Sequence, residues 1–132
     1  MTVFDKNIAA TGSFIVATTI AIGAFGAHGL KEMLDVDALA TFEVGVRYQM
    51  YHAFGIIILG MLPSIPQKLK QRIFWFFIIG ILFFSGSIYL LSMNSILPFE
   101  TSVIGFVTPL GGLLFIIGWF LLAYGLLTLK KR

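Results

Sequence analysis

The sequence predicts an all-α bundle of four transmembrane helices, and the prediction rests on composition, chain length and the positions of prolines. Hydrophobic residues make up 58% of the 132 residues and charged residues only 11%, whereas about a quarter of the residues in soluble domains are charged. A soluble domain of this size buries only about two-thirds of its chain surface, which would leave many apolar side chains in water. At about 20 residues per crossing, four helices with short loops use the whole chain.

Four apolar segments give the approximate bounds of the predicted helices. Pro63 and Pro66 end the second segment and Pro98 ends the third, because proline interrupts a helix. The fourth helix begins either at Pro109, with Thr108 as its N-cap, or near residue 103 with a kink at Pro109. We predict a single integral membrane domain over 1–132, with helices at about 8–30, 42–62, 73–95 and 103–129.

The basic residues predict the orientation of the bundle, because lysine and arginine concentrate in cytoplasmic loops. Lys31 lies in the loop after the first helix, and the loop after the third helix carries no basic residue. The other loop and terminal cations belong to the opposite side, so both termini are predicted to be cytoplasmic. The cations on that side are Lys6, Lys68, Lys70, Arg72, Lys130, Lys131 and Arg132.

Several classes of site are disfavoured by composition and spacing. The absence of cysteine excludes disulfides, thiolate metal sites and cysteine nucleophiles. The net charge of +3 does not indicate nucleic-acid binding, because the basic residues do not form one face. His52 lies about 15 Å along the helix axis from Phe42, whereas His28 lies at the membrane rim, so a shared haem or metal is not expected. No base is placed beside Ser85 or Ser87, so no catalytic residue and no cofactor are predicted.

One polar cluster interrupts the second apolar segment. Glu43 and Arg47 are four residues apart, which predicts an ion pair on one helix face, and Tyr51 continues that face. Tyr48 and His52 form a second pair on a neighbouring face. Because charges within a membrane usually face the bundle interior or a water-filled cavity, this stripe is predicted to face inward.

The polar cluster has two interpretations. In the first, it is an anchor at the outer interface, where Arg47 snorkels to the headgroups and the tyrosines join the aromatic belt. In the second, it lines a small pocket that opens to the outer leaflet and includes the outer ends of the other helices. The candidate ligand-binding residues are His28, Glu43, Arg47, Tyr48, Tyr51, His52, Tyr89, Asn94 and Thr108.

Small residues recur every four positions along the first helix, at Ala9, Ser13, Ala17 and Ala21. Such a ridge allows two helix backbones to approach closely. It packs either within the chain or between subunits, so a homo-oligomer is one expectation.

Five short stretches of the chain carry a family resemblance: 23–31 (GAFGAHGLK), 48–54 (YQMYHAF), 84–89 (FSGSIY), 108–112 (TPLGG) and 118–119 (GW). Together they resemble the small bacterial membrane proteins called domain of unknown function 423, or the UPF0382 family. The resemblance covers nearly the whole chain in order and implies a four-helix protein of the bacterial cytoplasmic membrane. It implies no established activity, substrate or catalytic residue.

The residues therefore favour two functions. The first is a non-enzymatic protein that binds membrane lipids or supports the envelope through the outer polar cluster. The alternative is a small transporter or channel that uses Glu43, Arg47 and His52. An enzyme or redox protein has the least support from the residues.

Overall fold

A computed structural model describes residues 2–130 and contains four long α-helices. The predicted all-α class is confirmed. Within residues 2–130, three spans are long and apolar enough to cross a membrane, at Val3–Glu32, Gln67–Ser92 and Ser102–Leu127. The first and the last of these spans each combine a long helix with an adjoining 3-10 turn. The helices are α1 (Val3–His28), α2 (Val36–Gly60), α3 (Gln67–Ser92) and α4 (Val107–Leu127). Lys131 and Arg132, which entered the orientation prediction, lie outside the described residues.

The first two helices begin earlier than the hydropathy pattern indicates, because polar residues cap them. Thr2 caps α1 through a capping box, in which the Asp5 amide donates to the Thr2 hydroxyl at 3.0 Å. Asp35 caps α2 by accepting from the Ala38 amide at 2.7 Å, so this helix begins at Val36 rather than near residue 42. The polar first turns of these helices belong to the helices and not to the loops.

The other two helices also differ from their predicted starts. α3 begins directly after Pro66, so it includes the cations that the hydropathy pattern assigned to a loop. α4 begins at Val107, which places Pro109 in its first turn, where a missing amide proton is tolerated. A separate 3-10 turn, Ser102–Ile104, precedes α4.

The helices pack in chain order, α1 against α2, α2 against α3 and α3 against α4. α1 and α3 begin at one end of the bundle, where α2 and α4 end; we call this the basic end. We call the opposite end, which carries the α1–α2 and α3–α4 loops, the acidic end. The main core is shared by all four helices and the α2–α3 loop, and consists of Ile8, Ile56, Leu59, Ile65, Ile73, Phe77, Ile81, Phe115 and Leu122.

Most of the small-residue ridge of α1 does not pack within the chain. Ser13, Ala17 and Ala21 are exposed, whereas Ala9 is half-buried and lies against Gly60 of α2, where an added Cβ would lie 2.9 Å from the Ala9 Cβ. α1 also meets α2 through Gly12, where an added Cβ would lie 2.8 Å from the carbonyl oxygen of Ala53. A spacing of four identifies residues that share a face, but it does not identify which face is covered.

A buried ion pair joins the beginnings of α1 and α3 at the basic end. Lys70 Nζ lies 2.6 Å from Asp5 Oδ1, and the two side chains are 0% and 2% exposed. Gln67 Nε2 also donates to Asp5 Oδ1, at 3.3 Å. Lys70, predicted from the sequence to be a loop cation that reports topology, is therefore also part of the core.

Candidate functional site

The predicted polar cluster divides between two faces of α2. Glu43, Arg47 and Tyr51 are exposed, whereas Gln49 and His52 are buried. The inward orientation predicted for the Glu43 stripe is therefore wrong within this chain. Within residues 2–130, Glu43 and Arg47 also do not approach to salt-bridge distance.

His52 lies where α2, α3 and α4 meet, and both of its ring nitrogens are engaged. Trp119 Nε1–H donates to His52 Nε2 at 2.9 Å, and His52 Nδ1 lies 2.7 Å from the Tyr48 carbonyl oxygen. Because an indole only donates and a carbonyl only accepts, these bonds assign the proton to Nδ1 and make the imidazole neutral. The ring also stacks on Phe115, with ring centroids 3.5 Å apart. His52 thus holds the three helices together.

A second polar network joins α3, α2 and α1 through Gln49. The Tyr89 hydroxyl donates to Gln49 Oε1 at 2.7 Å, and Gln49 Nε2 donates to Thr19 Oγ1 at 2.8 Å. The Thr19 hydroxyl in turn donates to the carbonyl oxygen of Ile15 at 2.6 Å. Tyr89 is one of the predicted site residues, whereas Gln49 and Thr19 were not predicted. Gln49 follows Gly45 by four residues, so the two share the face that α2 buries. That spacing was the sequence signal that could have predicted the burial of Gln49.

The α3 serines make contacts between helices. Ser85 Oγ donates to the Gly45 carbonyl oxygen at 2.7 Å, which connects α3 to α2. Ser87 and Thr108 share a hydrogen bond that connects α3 to α4. Thr108 therefore stabilises the α3–α4 contact near the acidic end.

Asn94 organises the α3–α4 loop. Its Oδ1 accepts from the Thr101 amide at 2.8 Å and from the Thr101 hydroxyl at 2.9 Å. In the same loop, the Ser102 amide donates to Glu100, and this bond lowers the pKa of that carboxyl below its usual value. His28 is exposed at the end of α1, where its position suits the negative end of the helix dipole.

Three of the nine predicted residues meet in one open groove between α2 and α4. This α2–α4 groove has a volume of about 490 Å³. Its walls are largely aromatic and aliphatic, so it fits an apolar ligand better than a charged one. The other six candidates, which are His28, Glu43, Arg47, Tyr89, Asn94 and Thr108, do not line it. Its lining is Tyr48, Tyr51, His52, Phe84, Gly112, Phe115, Ile116 and Trp119.

A family model described as "Protein of unknown function (DUF423)" matches residues 22–112. The UPF0382 membrane protein SSP2132 of Staphylococcus saprophyticus is 38% identical over 114 residues, which cover 86% of this chain and 91% of the relative. A UPF0382 membrane protein of Haemophilus influenzae is 39% identical over 118 residues, covering 89% and 88%.

A third relative extends the match to almost the entire chain. The UPF0382 inner membrane protein YgdD of Escherichia coli K12 is 32% identical over 132 residues, covering 98% of this chain and 93% of the relative. No solved structure gives a significant match. The family match spans all of α2 and α3, including His52, Gln49 and Tyr89, and the chain belongs to the UPF0382 (DUF423) family of membrane proteins.

Proposed function

We propose that this protein is a non-enzymatic membrane protein that binds a lipid acyl chain in the α2–α4 groove. The observation that carries the proposal is the groove itself, about 490 Å³ between two helices, with predominantly apolar walls. That volume lies within the range of about 300–1,000 Å³ that is common for ligand pockets. In a bilayer, an open apolar groove of this kind is filled by hydrocarbon.

The hydrogen bonds around His52 support a binding role over a catalytic or proton-relay role. Its two ring nitrogens are engaged by Tyr48 and Trp119. The bond to Trp119 fixes the indole as one wall of the groove. A proton acceptor in transport or catalysis needs a nitrogen that is free to exchange its partner, and these two bonds must break before either nitrogen is free.

Arg47 lies one helical turn from Tyr51, on the exposed face of α2. An arginine at membrane depth extends its guanidinium toward the headgroups while its methylenes remain in the apolar layer. We therefore assign Arg47 to the phosphate of the lipid whose chain occupies the groove, since arginine binds phosphate through paired hydrogen bonds.

We also propose four crossings of the bacterial cytoplasmic membrane, with both termini in the cytoplasm. α1 and α3 both run from the basic end to the acidic end, so α2 must return the chain between them. Its 25 residues correspond to about 37 Å, longer than the apolar thickness of about 30 Å. The polar residues Gln49 and His52 of this helix are buried against the neighbouring helices, so these two side chains do not face hydrocarbon.

The orientation is testable by cysteine labelling, because the chain contains no cysteine. In intact cells, a membrane-impermeant maleimide is expected to label Ser95→Cys in the α3–α4 loop. Ser64→Cys, in the α2–α3 loop, is expected to react only after permeabilisation. Both serines are exposed, and the cysteine-free parent serves as the blank. The opposite labelling pattern would place both termini outside.

The groove is testable by filling it. A Cβ at Gly112 would lie 3.7 Å from the Phe84 ring, which is ordinary contact, so Gly112→Leu adds bulk without a backbone clash. Native mass spectrometry of the gently solubilised protein is expected to show a lipid adduct that falls about tenfold or more in this variant. The reason is that each buried methylene of a lipid contributes about 0.8 kcal/mol.

Gly86→Leu is the matched control, because a Cβ at Gly86 meets no described atom within 4 Å and Gly86 does not line the groove. Arg47→Ala is expected to lower the adduct as well, through loss of the phosphate contact. An adduct that survives Gly112→Leu unchanged would contradict the proposal. Proton or ion flux in proteoliposomes that is lost in His52→Gln would instead support the transporter alternative with Glu43, Arg47 and His52.

A further inference from the structure

A second cavity opens beside the first half of α3 and shares no lining residue with the α2–α4 groove. Its volume is about 560 Å³. All but one of its lining residues lie on α3, at positions 68, 71, 72, 75, 76 and 79. These spacings of three and four residues form one continuous helix face. Leu114 of α4 supplies the remaining wall.

This α3 face changes from charged to apolar along its length. It begins at the basic end with Lys68 and Arg72, continues with Trp75 and ends at Ile79 beside Leu114. The eleven helical steps from residue 68 to residue 79 rise about 16 Å, close to half of the apolar thickness of a bilayer. Tryptophan is the residue type enriched at the boundary between headgroups and hydrocarbon. The face therefore has the polarity and the length of one phospholipid leaflet.

The two cations of this face have no carboxylate partner within the part of the chain that the structure describes. Lys70, which lies between them in sequence, is neutralised by Asp5 at 2.6 Å, whereas no salt bridge to Lys68 or Arg72 is formed within residues 2–130. The first turn of α3 has neither an acidic residue nor a side-chain cap. The helix dipole is positive at this end and disfavours cations, so an anion from outside the chain would relieve both effects.

We propose that this face binds an anionic phospholipid. Lys68 and Arg72 contact the phosphate, and one acyl chain follows Trp75 and Ile79 toward Leu114. Basic clefts between transmembrane helices favour anionic headgroups through the same charge complementarity. This site is separate from the α2–α4 groove and does not depend on the function proposed for that groove.

Quenching by brominated lipids tests the site directly, because bromine on an acyl chain quenches a tryptophan that it contacts. In a Trp119→Phe background, Trp75 is the sole tryptophan of the chain. The full-length protein is reconstituted in phosphatidylcholine, and its quenching by brominated phosphatidylglycerol is compared with its quenching by brominated phosphatidylcholine that has the same chains. We expect brominated phosphatidylglycerol to quench Trp75 fluorescence more strongly, which would show that the site prefers phosphatidylglycerol.

Lys68→Gln and Arg72→Gln are each expected to lower this preference about fivefold, and the double variant roughly 30-fold. Lys6→Gln is the matched control, since it removes an exposed cation at the basic end that does not line the cavity. An unchanged preference in the double variant would overturn the proposal. An equal loss in Lys6→Gln would also overturn it, because general surface charge would then explain the preference. Gly112→Leu is expected to leave the preference unchanged, so the two lipid sites are tested separately.

Discussion

Replacing Lys70 by methionine is expected to lower the thermal unfolding midpoint of the purified protein by about 10 °C. The substitution leaves Asp5 buried with its carboxylate unpaired. Removing one partner of a buried ion pair destabilises a protein far more than the intact pair stabilises it. α1 and α3 begin side by side through this contact, so its loss weakens the basic end of the bundle. The measurement is intrinsic tryptophan fluorescence during heating in a mild detergent.

Two variants separate the ion pair from general effects of the substitution. Lys68→Met removes an exposed lysine from the same turn of α3 and is expected to shift the midpoint little. Adding Asp5→Asn to Lys70→Met removes the unpaired charge and keeps an oxygen that can accept from the Thr2 amide. This double variant is expected to recover most of the loss. A midpoint for Lys70→Met equal to that of Lys68→Met would show that the ion pair does not hold α1 to α3.

The fold was largely predictable because its signals are local. Apolar segments and the prolines at 63, 66 and 98 give four helices and their order. The starts of α1 and α2 were missed because the cap residues Thr2 and Asp35 lie outside the apolar segments. Helix caps act through single hydrogen bonds, which a hydropathy pattern does not register.

The candidate site was less predictable because its contacts join distant parts of the chain. Helical spacing correctly places Glu43, Arg47 and Tyr51 on one face, but packing partners decide which face is buried. Here α1 and α3 cover the face of α2 that carries Gly45 and Gln49. Gly45 has no side chain and Gln49 has an unbranched one, so the neighbouring helices can approach α2 closely on this face. The Asp5–Lys70 contact spans 65 residues of sequence and has no periodic signal at all.

Gly111 should show the second large effect, because α4 lies directly against the backbone of α3 at this residue. A Cβ at Gly111 would overlap the Phe84 amide nitrogen and would lie 2.8 Å from the Phe83 carbonyl carbon. Backbone atoms cannot move aside as a flexible side chain can, so the helices must separate. We expect Gly111→Ala to lower the free energy of unfolding by about 3 kcal/mol, at the upper end of the cost of overpacking a core. Far-UV circular dichroism during titration with sodium dodecyl sulfate measures this loss.

Gly112→Ala is the matched control, one residue further along the same helix. Its added Cβ would lie 3.7 Å from the Phe84 ring, and alanine favours a helix over glycine by about 0.5–1 kcal/mol, so this variant is expected to be as stable as the parent or more stable. The two substitutions are chemically identical and their effects on helix propensity are nearly equal. Helix propensity alone therefore cannot make one variant less stable than the parent and the other more stable. Opposite signs would therefore establish that the α3–α4 distance is set by backbone contact at Gly111. Similar effects of the two variants would contradict that packing.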